Sequence, residues 1–256
     1  DTSVPLSGLS IADVDAASGN MTVTLSVGSG SIAATAGGGV TVSGSGSGSI
    51  TLTGTLANLN SFLLGSAPVY SPASNFNGSV TLTMLTSDLG NTGTGGTLTD
   101  SDTRTITVNA VNDPPVAVND SFTTNEDTPV ATTVLANDSD VDGNPLTVTQ
   151  VNGSAIVAGG AAVAVTNGTV SLNAAGTQLT FTPAANYNGA ASYTYTISDG
   201  QGGTATATVS GTVNAVNDPP VAVNDSFTTN EDTSVGITVK SNDSDIDGNP
   251  LTITQV

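Results

Sequence analysis

The chain contains no cysteine and no histidine. Without cysteine it has neither a disulfide framework nor a thiolate for metal or redox chemistry. Without histidine it lacks the commonest general base and the usual transition-metal ligand. Tryptophan is absent too, and 256 residues hold five Phe and four Tyr. The only basic residues are Arg104 and Lys240, set against 21 acidic ones, for a net charge of −19. Such a chain has almost nothing with which to neutralise phosphates, which excludes nucleic acid as a partner and calls for a cationic one. No apolar run approaches the ~20 residues that a membrane helix needs, so a soluble segment without membrane insertion is expected.

What is present is repetition. The stretch Thr107 to Thr128, T-V-N-A-V-N-D-P-P-V-A-V-N-D-S-F-T-T-N-E-D-T, recurs unchanged at Thr212 to Thr233, 105 residues later, and the wider segments 107–151 and 212–256 match at 38 of 45 positions. A fixed period of this size marks an array of small domains. The divisions expected are residues 1–110 as a repeat lacking its first strand, 111–215 as a complete repeat, and 216–256 as the first strands of a third. Because the sequence starts in the middle of a recognisable unit, it reads as a segment of something longer.

The local pattern is that of strands. Met21 to Leu25, Val40 to Val42, Ser49 to Leu52 and Ser79 to Met84 alternate with a period of two and are rich in β-branched residues. Gly/Ser turns separate them, with the run around Gly44 to Gly48 read as a hairpin tip. In the second unit Val116–Val118, Val130–Leu135, Leu146–Val151, Ala162–Thr166, Gly168–Leu172, Leu179–Thr182, Ala191–Ile197 and Thr204–Val213 come at the spacing of a β-sandwich. One stretch departs: Leu56, Leu59 and Phe62 or Leu63 recur at helical spacing and predict a short helical turn.

The acidic residues are clustered. They fall in Asp13-Val14-Asp15, Asn112-Asp113, Glu126-Asp127, Asp138-Ser139-Asp140-Val141-Asp142-Gly143 and Ser198-Asp199-Gly200. Third-unit copies follow at Asn217-Asp218, Glu231-Asp232 and Asp243-Ser244-Asp245-Ile246-Asp247-Gly248. Asp1 matches Asp127, and Asp88 matches Asp199. Carboxylates one residue apart, followed by a glycine that permits a sharp bend, present several hard oxygens to one Ca²⁺. Mg²⁺ fits a crowded, flexible carboxylate cage less well. The plain alternative is that Asp, Asn and Gly serve only as turn formers; recurrence in three aligned copies with the same companions favours calcium. Paired carboxylates can also cleave glycosidic bonds, but that chemistry wants an aromatic-lined cleft, and the few aromatics here sit mostly at core-like strand positions. No enzymatic activity is expected.

Several motifs together resemble the cadherin-like (immunoglobulin-like) tandem repeats of large bacterial calcium-binding surface adhesins. They are N-D-P-P at 112–115 and 217–220, N-E-D-T at 125–128 and 230–233, N-D-S-D-V-D-G-N-P-L at 137–146, and T-P-A-A-N-Y-N-G-A-A-S-Y-T-Y-T-I-S-D-G at 182–200. The first unit resembles a sister subtype through L-S-I-A-D-V-D-A at 9–16, T-L-T-G-T-L-A-N-L-N at 51–60 and N-F-N-G at 75–78. The resemblance implies an all-β fold of tandem seven-stranded immunoglobulin/cadherin-like Greek-key sandwiches linked end to end, with Ca²⁺ at each junction.

On that topology Asp1, Asn112, Asp113, Asp138, Asp140, Asp142 and Asp199 should gather at the first junction. Glu126, Asp127, Asn217, Asp218, Asp243, Asp245 and Asp247 should gather at the second, while Asp13, Asp15 and Asp88 should lie at the outer end of the first unit. The first unit departs from the pattern by carrying Ala16-Ala17 where the others have Gly-Asn. Asp100 and Asp102 read as an extra ligand pair or, in preference, a solvated strand start, Asp120 and Asp225 as solvent-facing edge residues, Tyr187 and Phe76 as core anchors or a tyrosine-corner variant, and Pro114-Pro115 as a linker stiffener.

The function this implies is a calcium-stiffened extender in a secreted or cell-surface bacterial adhesin, its partners being Ca²⁺ and neighbouring repeats. The alternative is a subunit of an extracellular fibre, sheath or surface layer, assembled by strand exchange. A sugar- or protein-binding module would need a polar-aromatic cluster, which the sequence does not show.

Overall fold

The computed structural model describes residues 2–16, 18–65, 67–91 and 95–255, which fall into two compact units, Asp1–Val111 and Asn112–Val256. In the first, the strands are β1 (Val4–Pro5), β2 (Asn20–Val27), β3 (Ser31–Ala33), β4 (Thr41–Ser43), β5 (Ser49–Thr55), β6 (Val69–Ser71), β7 (Gly78–Ser87) and β8 (Thr99–Val108). They form a five-stranded sheet of order β4-β5-β2-β7-β8 and a three-stranded sheet of order β1-β6-β3. Alternation decides which side chains face inward: on β2, Met21, Val23 and Leu25 are buried, and across it on β5 so are Ile50 and Leu52. The helical spacing noted above is realised as α1 (Leu56–Gly65), which buries Leu59, Phe62 and Leu63 against the same core. Each such side chain removed from water contributes roughly 1.5–3 kcal/mol before the entropy of ordering the chain is charged against it.

The second unit contains β9 (Asp120–Asn125), β10 (Val130–Thr132), β11 (Thr147–Val151), β12 (Ser154–Ala155), β13 (Val163–Val165), β14 (Gly168–Leu172), β15 (Leu179–Pro183), β16 (Gly189–Ser198) and β17 (Thr204–Asn214). A five-stranded sheet of order β12-β11-β16-β17-β9 faces a four-stranded one of order β10-β15-β14-β13. All pairings are antiparallel except β17 with β9, which is parallel. This is an all-β, immunoglobulin-like sandwich. It has more than seven strands because the short β12 and β13 are added by hairpins. Tyr195, Phe181 and Leu179 are fully buried between the sheets, with the Phe181 and Tyr193 rings stacked at 6.2 Å.

Two expectations change here. Val116–Val118 is not a strand; its one ladder contact is an isolated bridge from Val116 to Ser139. Asp120, expected at a solvent-facing edge, starts β9 on the inward side with one carboxylate oxygen buried. β9 is the outermost strand of its sheet, paired along β17 from Val209↔Asp120 to Asn214↔Asn125, and its alternation puts Asp120 on the same inward face as Phe122 and Thr124.

The strands expected in 216–256 do not form. This stretch holds turns, bends and one isolated bridge, Val221↔Ser244, and leaves Phe227, Val235, Ile237 and Ile253 exposed. The physical reason is pairing: β9, β10 and β11 of the second unit are held by β17, β15 and β16, and residues 216–255 contain no copies of those partners.

Candidate metal centre

The acidic loops are built by side-chain to backbone hydrogen bonds. After the 3-10 turn Val134–Ala136 the chain enters N-D-S-D-V-D-G-N, where Asp140 Oδ1 accepts from the amides of Asp142 (2.9 Å) and Asn144 (3.2 Å). Gly143 takes φ 75°, which closes the turn without a Cβ penalty. The amide of Asp113 donates to Asp142 Oδ2 at 2.8 Å, and Asn144 Nδ2 donates to Asn112 Oδ1 at 3.0 Å, so the N-D-P-P segment is clasped onto this loop. Pro115, which cannot donate, is buried beside it.

The same clasp is rebuilt bond for bond in residues 217–249. There the amide of Asp218 donates to Asp247 Oδ2 (2.6 Å), Asn249 Nδ2 to Asn217 Oδ1 (2.9 Å), and the amides of Asp247 (3.0 Å) and Asn249 (3.2 Å) to Asp245 Oδ1.

Three carboxylates converge around the second clasp. Ligand oxygens of Glu126, Asp218 and Asp247 all lie within 4.8 Å of one another. Glu126 is buried at the turn after β9; its Oε1 accepts from the amide of Val216, and its own amide donates to Asn214 O at 2.9 Å. Asp218 Oδ2 is buried without a hydrogen-bond partner. Burial pushes the Asp218 carboxyl up from its ordinary value, and the carboxylates of Asp247, Glu126, Asp127 and Asp245 push it further the same way. A buried carboxylate oxygen facing only other carboxylates is costly unless a cation or a proton arrives. The donor set is all hard oxygen, which suits Ca²⁺.

The other residues expected at this junction lie nearby with different tasks. Asp127, at φ 56°, accepts the Asn186 amide on Oδ1 at 3.1 Å, and Asp243 Oδ1 accepts the Val223 amide at 2.8 Å. Asp245 holds its own loop together, and Asn217 bonds Asn249.

Of the set expected at the first junction, Asp1 lies outside the described residues. Asn112 and Asp199 meet directly: Asn112 Nδ2 donates to Asp199 Oδ2 at 2.7 Å. Asp199 is buried and also accepts the amides of Gln201 and Gly203. The Asn112 amide chiefly, with those backbone amides, holds its pKa below the usual carboxylate range against the opposing effect of burial. Asp113, Asp140 and Asp142 belong to the clasp, and Asp140 Oδ2 is buried without a partner. Asp138 turns away from them into the sandwich: its Oδ1 accepts the Val118 amide at 2.7 Å and the fully buried Tyr195 hydroxyl at 3.0 Å.

In the first unit, Asp13 Oδ1 accepts the Asp15 amide at 3.0 Å, and Asp88 Oδ1 accepts the amides of Gly90 (2.9 Å) and Leu98 (2.7 Å). Those two amides lower the Asp88 pKa, while a hydrogen bond with Asp13 and some burial raise that of Asp15. All three acids line one shallow depression with Asp100.

Sequence reasoning passed over Asn144 and Asn249, whose side chains carry the clasp. Their recurrence in both D-G-N-P copies was the available signal.

A family model described as bacterial Ig domain matches residues 112–212 and 217–256. No curated protein matches the chain. Among solved structures it is similar to domains EC22–24 of mouse cadherin-23, at 17% identity over 76% of this chain and 52% of that one, with a TM-score of 0.39. It is also similar to extracellular cadherin domains 1–5 of protocadherin gamma B2, at 15% identity over 93% of this chain and 41% of that one, TM-score 0.41. An endo-fucoidan hydrolase of glycoside hydrolase family 107 shares 17% identity over 77% of this chain and 26% of that one, TM-score 0.29. The chain thus spans between about a quarter and a half of each of these structures.

Proposed function

Because the chain belongs to the bacterial Ig domain family, we propose that its repeats are calcium-stiffened spacers in a secreted or cell-surface bacterial adhesin, with no catalytic role of their own. The observation that carries this reading is the buried, unpartnered Oδ2 of Asp218, ringed by Glu126 and Asp247. Glu126 belongs to the complete sandwich, Asp218 to the segment that leaves it, and Asp247 to the loop beyond. A Ca²⁺ ion held by these three would replace mutual repulsion, roughly 1–4 kcal/mol per close pair depending on solvation, with attraction to a shared charge. It would thereby fix the segment 215–218 against the turn that bears Glu126. Bound calcium supplies no chemistry here beyond charge and coordination. The chain's own residues do the positioning: Val216 is tethered to Glu126, and Asp218 to Asp247.

The first clasp, with Asn112, Asp113, Asp140, Asp142 and Asp199, is proposed as a second set of cation ligands. Asp13, Asp15 and Asp88 take that place in the first unit. Adhesion itself belongs to the parent protein, in which such repeats hold a binding domain away from the cell.

Isothermal calorimetry with CaCl₂ tests this. Wild type should bind calcium, and a Glu126→Gln/Asp218→Asn/Asp247→Asn variant should lose at least one ion of the stoichiometry. An Asp140→Ala/Asp142→Ala variant should affect a different class of sites. An unchanged isotherm in the triple variant would sink the assignment.

A further inference from the structure

The dipeptide Asn-Gly occurs four times, at Asn77-Gly78, Asn152-Gly153, Asn167-Gly168 and Asn188-Gly189. It is the pair most open to attack by a backbone nitrogen on the preceding side-chain amide, because glycine has no Cβ to obstruct the approach and turns freely about its backbone. The fold treats the four copies differently. Two are fixed inside tight hairpins. Asn152, at φ 47°, joins β11 to β12; its Oδ1 accepts the amide (2.8 Å) and the hydroxyl (3.3 Å) of Thr194, and its own amide donates to Thr194 O at 2.9 Å. Asn167, at φ 66°, turns β13 into β14, and the glycine after it is paired on both sides, with Val165 and with Pro183. A Cβ on Gly168 would come within 2.3 Å of Thr182 O, so its nitrogen has no room to swing.

The other two close matching turns that lead into β7 and β16. The amides of Phe76 and Tyr187 donate to Ala73 O and Ala184 O, both at 3.1 Å. Asn75 and Asn186 take φ 57° and 53°, and Gly78 and Gly189 take φ 123° and 128°. One oxygen atom distinguishes the two turns. The Tyr187 hydroxyl donates to Ala190 O and so spans Asn188-Gly189, and it would stand 3.1 Å from a Cβ on Gly189. Phe76, at the same place in the first unit, has no hydroxyl to span Asn77-Gly78. Asn77 is exposed, and among the described residues no hydrogen bond holds its side chain. Gly78 is the first residue of β7 and is paired there with Val108 alone, since β2 reaches along β7 only as far as Leu82.

We propose that Asn77 is a site of spontaneous deamidation in the folded protein, and that the Tyr187 hydroxyl withholds Asn188 from the same reaction. The Gly78 nitrogen gives up its proton and bonds to the side-chain carbonyl carbon of Asn77; the bond from that carbon to the amide nitrogen breaks, and ammonia leaves. Water then opens the five-membered imide at one carbonyl or the other, giving aspartate or isoaspartate. The net change is water consumed and ammonia released, with no oxidant or cofactor. For the nitrogen to reach the side chain, the peptide between the two residues must rotate. The Tyr187 bond bridges the corresponding peptide in the second unit and resists that rotation, whereas Asn77-Gly78 turns without breaking such a bridge. Either product adds one negative charge to a chain that already carries −19. The isoaspartate also lengthens the main chain by one carbon, but it does so ahead of the first β7 ladder pair, Gly78↔Val108, so the sandwich keeps its register.

The test is incubation of the full chain in mildly alkaline buffer, with the amide-to-acid mass gain followed at each Asn-Gly by peptide mapping and isoaspartate told from aspartate by electron-transfer fragmentation. In urea all four sites should convert at comparable rates. In the native protein Asn77 should convert roughly tenfold or more faster than Asn152, whose side chain must first break its bonds to Thr194. Asn167 should be as slow as Asn152, and Asn188 should also lag behind Asn77. Tyr187→Phe should bring Asn188 up toward the rate of Asn77, and Phe76→Tyr, which supplies the missing hydroxyl, should slow Asn77. A native Asn77 that converts no faster than Asn152 and Asn167 would overturn the first half of the proposal. An Asn188 rate unmoved by Tyr187→Phe, or an Asn77 rate unmoved by Phe76→Tyr, would overturn the second.

Discussion

Phe122 lies across the backbone of Gly211, close enough that a Cβ on the glycine would come within 2.6 Å of three ring atoms. The pair seals the parallel β9–β17 contact at the register Gly211↔Phe122. Gly211→Ala should therefore push the ring aside and destabilise the second unit by about 1–3 kcal/mol, the usual range for forcing extra volume into a packed core. Phe122→Leu in the same background should recover part of that loss, so the two substitutions will not add. Denaturant melts of the four variants measure both effects. Full additivity would mean that the ring can move away freely.

Two buried tyrosines on β16 should respond in opposite ways to loss of the hydroxyl. Tyr195 Oη contacts Asp138 Oδ1 at 3.0 Å and Val118 O at 2.9 Å, whereas Tyr193 Oη is buried without a partner. Removing a hydroxyl that satisfies buried acceptors costs about 1–3 kcal/mol, while removing an unsatisfied one is neutral or favourable. Tyr195→Phe should lower the thermal midpoint clearly and Tyr193→Phe should leave it level or raise it. Equal losses in both would contradict the hydrogen-bond assignment.

Much of this architecture was legible from local pattern. Met21, Val23 and Leu25 alternate, and Leu56, Leu59 and Leu63 step at helical spacing, and in both stretches the nearest neighbours in sequence decide which face is buried. The acidic loops were visible as clusters for the same reason. Roles that depend on partners distant in sequence were not visible. Asp138 reads like its neighbours Asp140 and Asp142 until Tyr195, on the strand 57 residues on, reaches it. Asp120 reads as solvent-facing until the opposite sheet, through Phe181, packs over the face that it shares with Phe122. The segment 216–255 repeats the apolar pattern of β9 to β11, but a strand is a pairing and not a property of six residues, so the pattern alone forms none.

Asp199 and Asn112 make a titratable link between the turn that follows β16 and the segment before Pro114. Because the native pKa of Asp199 is depressed, its carboxylate contributes stability that is present above the unfolded value near 3.8 and is lost as the pH falls through the native value. Asn112→Ala removes the first cause of the depression. The Asp199 side-chain carbon, followed by NMR titration, should then move its midpoint upward toward the ordinary carboxylate value, and acid unfolding should begin at higher pH. An unmoved midpoint would show that the backbone amides of Gln201 and Gly203 suffice alone.

Asp218 reverses that sign, and so separates the two states of the proposed metal centre. Its native pKa is raised by burial and by Asp247, Glu126, Asp127 and Asp245, so in the metal-free protein the native state binds a proton more readily than the unfolded chain does. Order around Asp218 should accordingly increase as the pH drops from neutrality through the raised native value, down to the unfolded value of 3.8. With calcium the dependence inverts, because the ion needs the carboxylate form and competes with the proton. Asp218→Asn should mimic protonation: hydrogen exchange at the amides of Val216 and Asp218 should slow in the metal-free protein relative to wild type, and added calcium should change it little. If wild-type exchange at these amides slows on acidification by no more than the intrinsic chemistry requires, and calcium leaves it unaltered at neutral pH, then repulsion among these carboxylates does not control how the segment is held.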